Sequence, residues 1–122
     1  MTPDWTHWQP GIRATLMFIV DEGGQQVLLI RKKRGLGAGK INGPGGKMDP
    51  GETSAECAIR ETQEELGVTA LNPERLGELC FQFVDGLALH VDVFRATAWE
   101  GEAVETDEAV PLWTPLDRLP FE

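Results

Sequence analysis

The chain has 122 residues, 41% of them apolar, which suits one small domain spanning residues 1–122 around one core. Its net charge of −9 argues against a nucleic-acid polymer or an anionic membrane as partner, but not against a small polyphosphate, because a divalent metal can reverse the local field. No apolar run approaches the roughly 20 residues of a membrane span. The start Met1-Thr2-Pro3-Asp4-Trp5 lacks a signal-peptide pattern, and Cys57 and Cys80 have neither disulfide-framework nor zinc spacing. A reducing, cytoplasmic setting with both cysteines buried as small apolar residues is expected.

Residues 1–11, with two tryptophans and two prolines, read as an irregular entry segment. Ile12 to Val20 is β-branched and apolar, a candidate central strand; Asp21-Glu22-Gly23-Gly24 reads as a hairpin turn, and Val27 to Ile30 as the return strand. The basic run Arg31-Lys32-Lys33-Arg34 is either a solvated strand end or a source of one or two phosphate contacts. Gly35 to Lys40 is a flexible loop, and Asn42-Gly43-Pro44-Gly45-Gly46 turns the chain with glycines that allow close backbone approach to a ligand or metal.

A helix then starts at Ser54 or Thr53 with an ordinary cap, because Cys57 is not the acid a capping box needs after Ser54, and ends at Gly67 in a left-handed turn. At about 100° per residue, Ala55, Ala58, Ile59, Thr62 and Leu66 form the core face, and Glu61, Glu64 and Glu65 a neighbouring one. Like charges at helical spacing cost roughly a few tenths of a kcal/mol each, and the last turn of a helix disfavours acids. The cluster is either a solvated acidic face or an oxygen-rich site for a hard cation such as Mg2+.

Beyond the helix, Ala70 to Arg75 reads as a connection, Glu78 to Val84 and Leu87 to Trp99 as an antiparallel pair around Asp85-Gly86, and residues 100–108 as an acidic loop. Val110 to Thr114 is a last short strand before a turn at Pro115 to Pro120. The expected fold is α+β, a mixed sheet with a helix packed on it. Asn42 and Phe81 are candidates for an apolar slot that would take a purine, and Phe81 is equally a candidate core aromatic.

Gly46, five residues, Glu52, seven residues, Arg60-Glu61, two residues, Glu64-Glu65, one residue, Gly67 and apolar Val68 match the Nudix box. Coincidence of these positions in a chain this long has odds on the order of one in a million. Thr62 stands where the box prefers an aliphatic residue. The likeness extends to Lys32–Lys47 and to Glu105-Thr106-Asp107-Glu108, Trp113, Leu116-Asp117 and Leu119-Pro120-Phe121. These segments resemble the branch of the Nudix family typified by the mammalian 8-oxo-dGTP diphosphatases, MutT-like hydrolases of oxidised purine nucleoside triphosphates.

That resemblance implies an α/β/α Nudix sandwich and hydrolysis of a nucleoside triphosphate, such as 8-oxo-dGTP, to monophosphate and pyrophosphate. It implies Mg2+ (or Mn2+) held by the Gly45 carbonyl, Glu61, Glu64, Glu65 and Glu108, with Glu65 or Glu108 activating water and Arg60, paired with Glu52, orienting the glutamates. It also implies nucleotide contacts from Thr15, Lys32 and Asn42 beside the Gly45-Gly46 turn. Ile41 and Pro44 replace aromatic residues of the substrate loop, and this chain stops at Glu122, where the related enzymes continue with base-reading residues and a helix. The expectation is therefore a C-terminally short domain with one sheet face uncovered and some self-association. Hydrolysis of another nucleoside diphosphate derivative (a dinucleotide polyphosphate, ADP-ribose or a nucleotide sugar) and a non-catalytic nucleotide-binding module are the alternatives.

Overall fold

Alternation in Ile12–Asp21 builds the central strand, β1: Thr15, Met17 and Ile19 are buried on one face, and Leu16, Phe18 and Val20 are half-buried on the other. The computed structural model describes residues 12–33, 39, 41–82 and 88–118, without the side chains of Phe81 and Gln82. A turn at 22–25 leads to β2 (Gln26–Lys32); the Gly24 amide donates to Asp21 Oδ1 at 3.1 Å, and Gln25 is left-handed at φ 51°. The loop expected at Gly35 to Lys40 lies almost wholly outside the described residues, as does the turn expected at Asp85-Gly86.

β1 and β2 pair only where Ile19 to Asp21 meets Leu28 to Gln26. From there they part, and the next segment fills the wedge. β3 (Ile41–Asn42) pairs with the C-terminal half of β2, whereas β4 (Gly45–Lys47) pairs with the N-terminal half of β1. At the apex the Met17 amide donates to the Pro44 carbonyl at 2.7 Å. The predicted turn at residues 42–46 is thus two short strands stitched into a splayed sheet.

β5 (Thr69–Leu71) lies where a bare connection was expected, and pairs with β8 (Ala98–Glu100) as a separate two-stranded sheet. β6 (Glu74–Gln82) and β7 (Ala88–Ala96) pair antiparallel, and β7 runs parallel to β1; Thr97 ends the strand expected to reach Trp99. β9 (Ala109–Pro115) pairs with the other edge of β2 before a 3-10 turn at Leu116–Arg118. The main sheet has seven strands, five along the path β3-β2-β1-β7-β6 with β4 beside β1 and β9 beside β2; its pairings are both parallel and antiparallel, and with one helix packed on it the fold is α+β as expected.

That helix, α1 (Ser54–Leu66), begins one residue earlier in register than an ordinary Ser54 cap would give. Thr53 is the N-cap: its hydroxyl accepts from the Glu56 amide at 3.2 Å, and Glu56 Oε1 accepts from the Thr53 amide at 2.9 Å, closing a capping box. Thr53→Ala is expected to cost about 1 kcal/mol, read as a lowered urea midpoint with unchanged slope. Gly67 ends the helix at φ 76°, as expected.

Met17, Ile19, Leu28 and Ile30 pack beneath Ala58 and Leu66, with Ala55, Ile59, Trp99 and Trp113 at the margin. The ring centroids of Trp99 and Trp113 are 5.4 Å apart. On the face turned away from α1, Val27, Leu29 and Val91 are also buried, so that face is less open than expected; apolar exposure centres on β6, where Leu76 and Leu79 stand out. Among the described residues no helix is long and apolar enough to cross a membrane.

Candidate functional site

Two glycines in β4 fit between β1 and α1. A Cβ on Gly45 would lie 1.9 Å from the Thr15 carbonyl oxygen, and one on Gly46 would lie 2.6 Å from the Glu61 carboxyl carbon. No larger residue fits at either place without moving the strand or the acid.

The Gly45 amide donates to Glu65 Oε1 at 2.9 Å. Glu65 is only 3% exposed, and its Oε2 has no hydrogen-bond partner among the described residues. Burial pushes this carboxyl from the usual 4.5 up to about 7, against the pull of the Gly45 amide and the Lys32 charge. The charges of Glu61 and Glu108 push it the same way. Burial also raises Glu61, which Arg60 partly offsets.

Arg60 supplies the compensating charge. Its Nε and Nη2 donate to the two oxygens of Glu52 at 3.1 and 2.7 Å, while Nη1 donates to Glu61 Oε1 at 2.9 Å and Glu64 Oε2 at 3.2 Å. Nη2 also reaches the Lys47 carbonyl at 3.2 Å and lies 3.4 Å from Asp49. This bidentate pairing holds Glu52 down at about 2. The fixed fork of a guanidinium can join three carboxylates and a carbonyl in this way, and an ammonium cannot.

The acidic loop closes over the helix end. The Val104 amide donates to the Leu66 carbonyl at 2.9 Å, and the Thr106 hydroxyl to the Glu65 carbonyl at 2.6 Å. The Glu108 amide in turn donates to Thr106 Oγ1 at 3.1 Å, and the Glu108 carbonyl accepts from the Lys33 amide at 2.9 Å. An ion pair between Lys33 and Glu105 fixes the same junction.

Gly45, Gly46, Arg60, Glu61, Glu64 and Glu65 are therefore brought together, with Glu108 and Lys32 close enough for their charges to act on Glu65. Thr15 is placed differently: its side chain is enclosed under α1 with its hydroxyl 3.3 Å from Cys57 Sγ. Asn42 is exposed, and its Oδ1 accepts from the Gly43 amide at 2.8 Å. The Phe81 side chain and Arg34 lie outside the described residues. Cys57 is buried as expected, and burial pushes its thiol up to about 11. Cys80 corrects the other half of that expectation: it is exposed, on edge strand β6 opposite His90.

Two features escaped the sequence reading. Thr106 belongs to the expected acidic loop and to the segment 105–108 that carries the resemblance, but neither reading gives it a role of its own. Glu65 was placed beside the core face, yet it lies seven residues after Ala58 and three after Thr62, a helical stripe that leads into the core. Glu78, His90 and Asp92 form a further cluster on β6 and β7, in which Arg75 bridges Glu78 at 3.1 Å and Asp92 at 3.0 Å.

A buried carboxylate oxygen without a partner, raised acids and an all-oxygen donor set fit a hard divalent cation. A profile described as "NUDIX domain" matches residues 11–122. The oxidized purine nucleoside triphosphate hydrolase of Danio rerio is 45% identical over 88% of this chain and 68% of its own length; that of Mus musculus is 43% identical over 80% and 63%. The chain thus spans about two thirds of the length of these curated relatives. The crystal structure of the MutT NUDIX hydrolase from Burkholderia pseudomallei superposes with TM-score 0.80 at 32% identity, over 94% of this chain and 90% of that one. The mutator MutT protein from Bacillus halodurans gives 0.74 at 36%, over 87% and 69%.

Proposed function

The chain belongs to the Nudix hydrolase family, and on that premise we propose that it is a Mg2+-dependent pyrophosphohydrolase of oxidised purine nucleoside triphosphates such as 8-oxo-dGTP. The products are the monophosphate and pyrophosphate. The observation that carries this reading is the Glu65 carboxyl, sealed from solvent, raised to about 7 and half unpaired beside Gly45. The likeness to the zebrafish and mouse enzymes supplies the substrate class.

In this reading Glu61, Glu64, Glu65, Glu108 and the Gly45 carbonyl hold Mg2+, or Mn2+ in its place. When bound, the cation supplies charge neutralisation on the phosphates and acidification of the attacking water. Arg60 ties the half-buried Glu61 and the exposed Glu64 together through its bonds to both, with Glu52 as its anchor. Glu65 or Glu108 takes the proton of the attacking water; Glu65 is the one held against the Gly45 amide with its other oxygen unpaired among the described residues. Lys32 lies where its charge already acts on Glu61 and Glu65, and phosphate oxygens entering there would meet it. Asn42 and Phe81 are proposed as contacts of the base.

Pyrophosphate release with Mg2+ should be substantial for 8-oxo-dGTP and weaker for dGTP and dATP. Equal, negligible rates on all three would reject the sanitising role. Ile41 and Pro44, in place of aromatic residues, favour keeping a second arm in the assay, with ADP-ribose and a dinucleotide polyphosphate as substrates. Turnover confined to that arm would keep the chemistry and change the substrate.

A further inference from the structure

We propose that Thr106 is a positioning residue that holds Glu65 and Glu108 at a fixed separation across the candidate metal site. The inference rests on the metal-dependent hydrolase reading for its purpose, and on this chain's own hydrogen bonds for its content.

A threonine hydroxyl has one proton to give and lone pairs to accept with. Thr106 gives its proton to the Glu65 carbonyl at 2.6 Å and accepts from the Glu108 amide at 3.1 Å. One oxygen therefore joins the backbones of two acids 43 positions apart, one on a helix and one on a loop without regular structure.

The Glu65 carbonyl belongs to the last turn of α1, where the carbonyls have no intrahelical partner. The loop meets two of them, through the Val104 amide at Leu66 and the Thr106 hydroxyl at Glu65. Donors at this end also soften the negative pole of the helix next to Glu64 and Glu65. The Glu108 peptide is held from its other side by the Lys33 amide, and the Thr106 amide donates to the Ala109 carbonyl at 3.0 Å. The chain around Glu108 is thus fixed at both ends, and Thr106 is the link that refers it to Glu65.

A local loop-stabilising role would need only the bond to Glu108, two residues away. The bond to Glu65, 41 residues away, is the one that sets distance across the site. Ligands of a metal work only within about half an ångström of the productive geometry, and partners that orient them are worth about 10–100-fold in affinity or activity.

Thr106→Val keeps the shape and removes both bonds. It should weaken Mn2+ binding, read from the EPR signal of the free ion, by about 10–100-fold and lower kcat by a similar factor at unchanged KM. In the metal-free variant the Glu108 amide should lose its hydrogen-exchange protection. Thr106→Ser, which restores the hydroxyl, should recover all three; if the valine variant does not fold, Thr106→Ala set against Thr106→Ser makes the same comparison. Wild-type Mn2+ affinity and Glu108 protection in the valine variant would overturn the proposal, as would a serine variant as impaired as valine. A wild-type protein that hydrolyses no nucleotide would instead defeat the hydrolase reading, with the metal-binding and exchange comparisons still deciding the role of Thr106.

Discussion

Glu65→Gln is expected to lower pyrophosphate release by about 10²–10⁴-fold, with nucleotide affinity changed little. Glutamine keeps the shape and can still accept the Gly45 amide bond seen at 2.9 Å, so β4 and α1 stay in place. What it loses is the negative charge and the basic oxygen. The loss should fall on kcat, because an acid that holds the cation and accepts a proton acts most strongly as charge develops in the transition state. Near-wild-type turnover in this variant would move the basic role to Glu108 and remove Glu65 from the chemistry.

The same substitution should act in the opposite direction on the stability of the metal-free protein. Glu65 titrates at about 7 in the fold and near 4.5 when unfolded. Between these values the folded state binds the extra proton, so stability falls as pH rises through that window and levels off above it. The gap corresponds to roughly 3 kcal/mol. Glu61, raised in the same direction, adds to the loss. Glu52 works the other way and lower on the scale: held at about 2 by Arg60, it contributes stability above 4.5 that disappears as the medium is acidified.

In EDTA, urea unfolding should therefore show lower stability at pH 8 than at pH 5. Glu65→Gln should flatten that slope, and saturating Mg2+ at pH 8 should restore the wild type by mass action. A wild-type protein without EDTA as stable at pH 8 as at pH 5 would agree with the expectation only if metal had been carried through purification; in EDTA the same result would contradict it. Loss of activity together with a gain in metal-free stability is the signature of a residue kept for chemistry at the expense of the fold.

The helix, its glycine stop and the joint placement of the acids were legible because fixed spacing and a 3.6-residue period encode them directly. The capping box was missed by one residue. With Ser54 as the reference the third position is Cys57, with Thr53 it is Glu56, and only the backbone decides between them. Cys80 sits in an apolar run that suggests burial, but its strand lies at the edge of the sheet, and edge position is a property of topology rather than of local pattern. The wedge of β3 and β4 was invisible for the same reason: two-residue and three-residue strands carry no periodicity. Thr106 could have been suspected only from a rule that buried helix ends must find donors.

The parting of β1 and β2 has a wider consequence. Because Gly45 and Gly46 are pinned to the middle of the sheet while β3 follows a different neighbour, the reactive centre and the segment leading into it answer to separate supports. The short strand Ile41–Asn42 is held by β2 and not by the partner of Gly45 and Gly46, so a change there would pull on β2 before it reached the acids of α1. Such a division is a modularity built into how two strands diverge: the glycines of the centre and the strand before them rest on different neighbours.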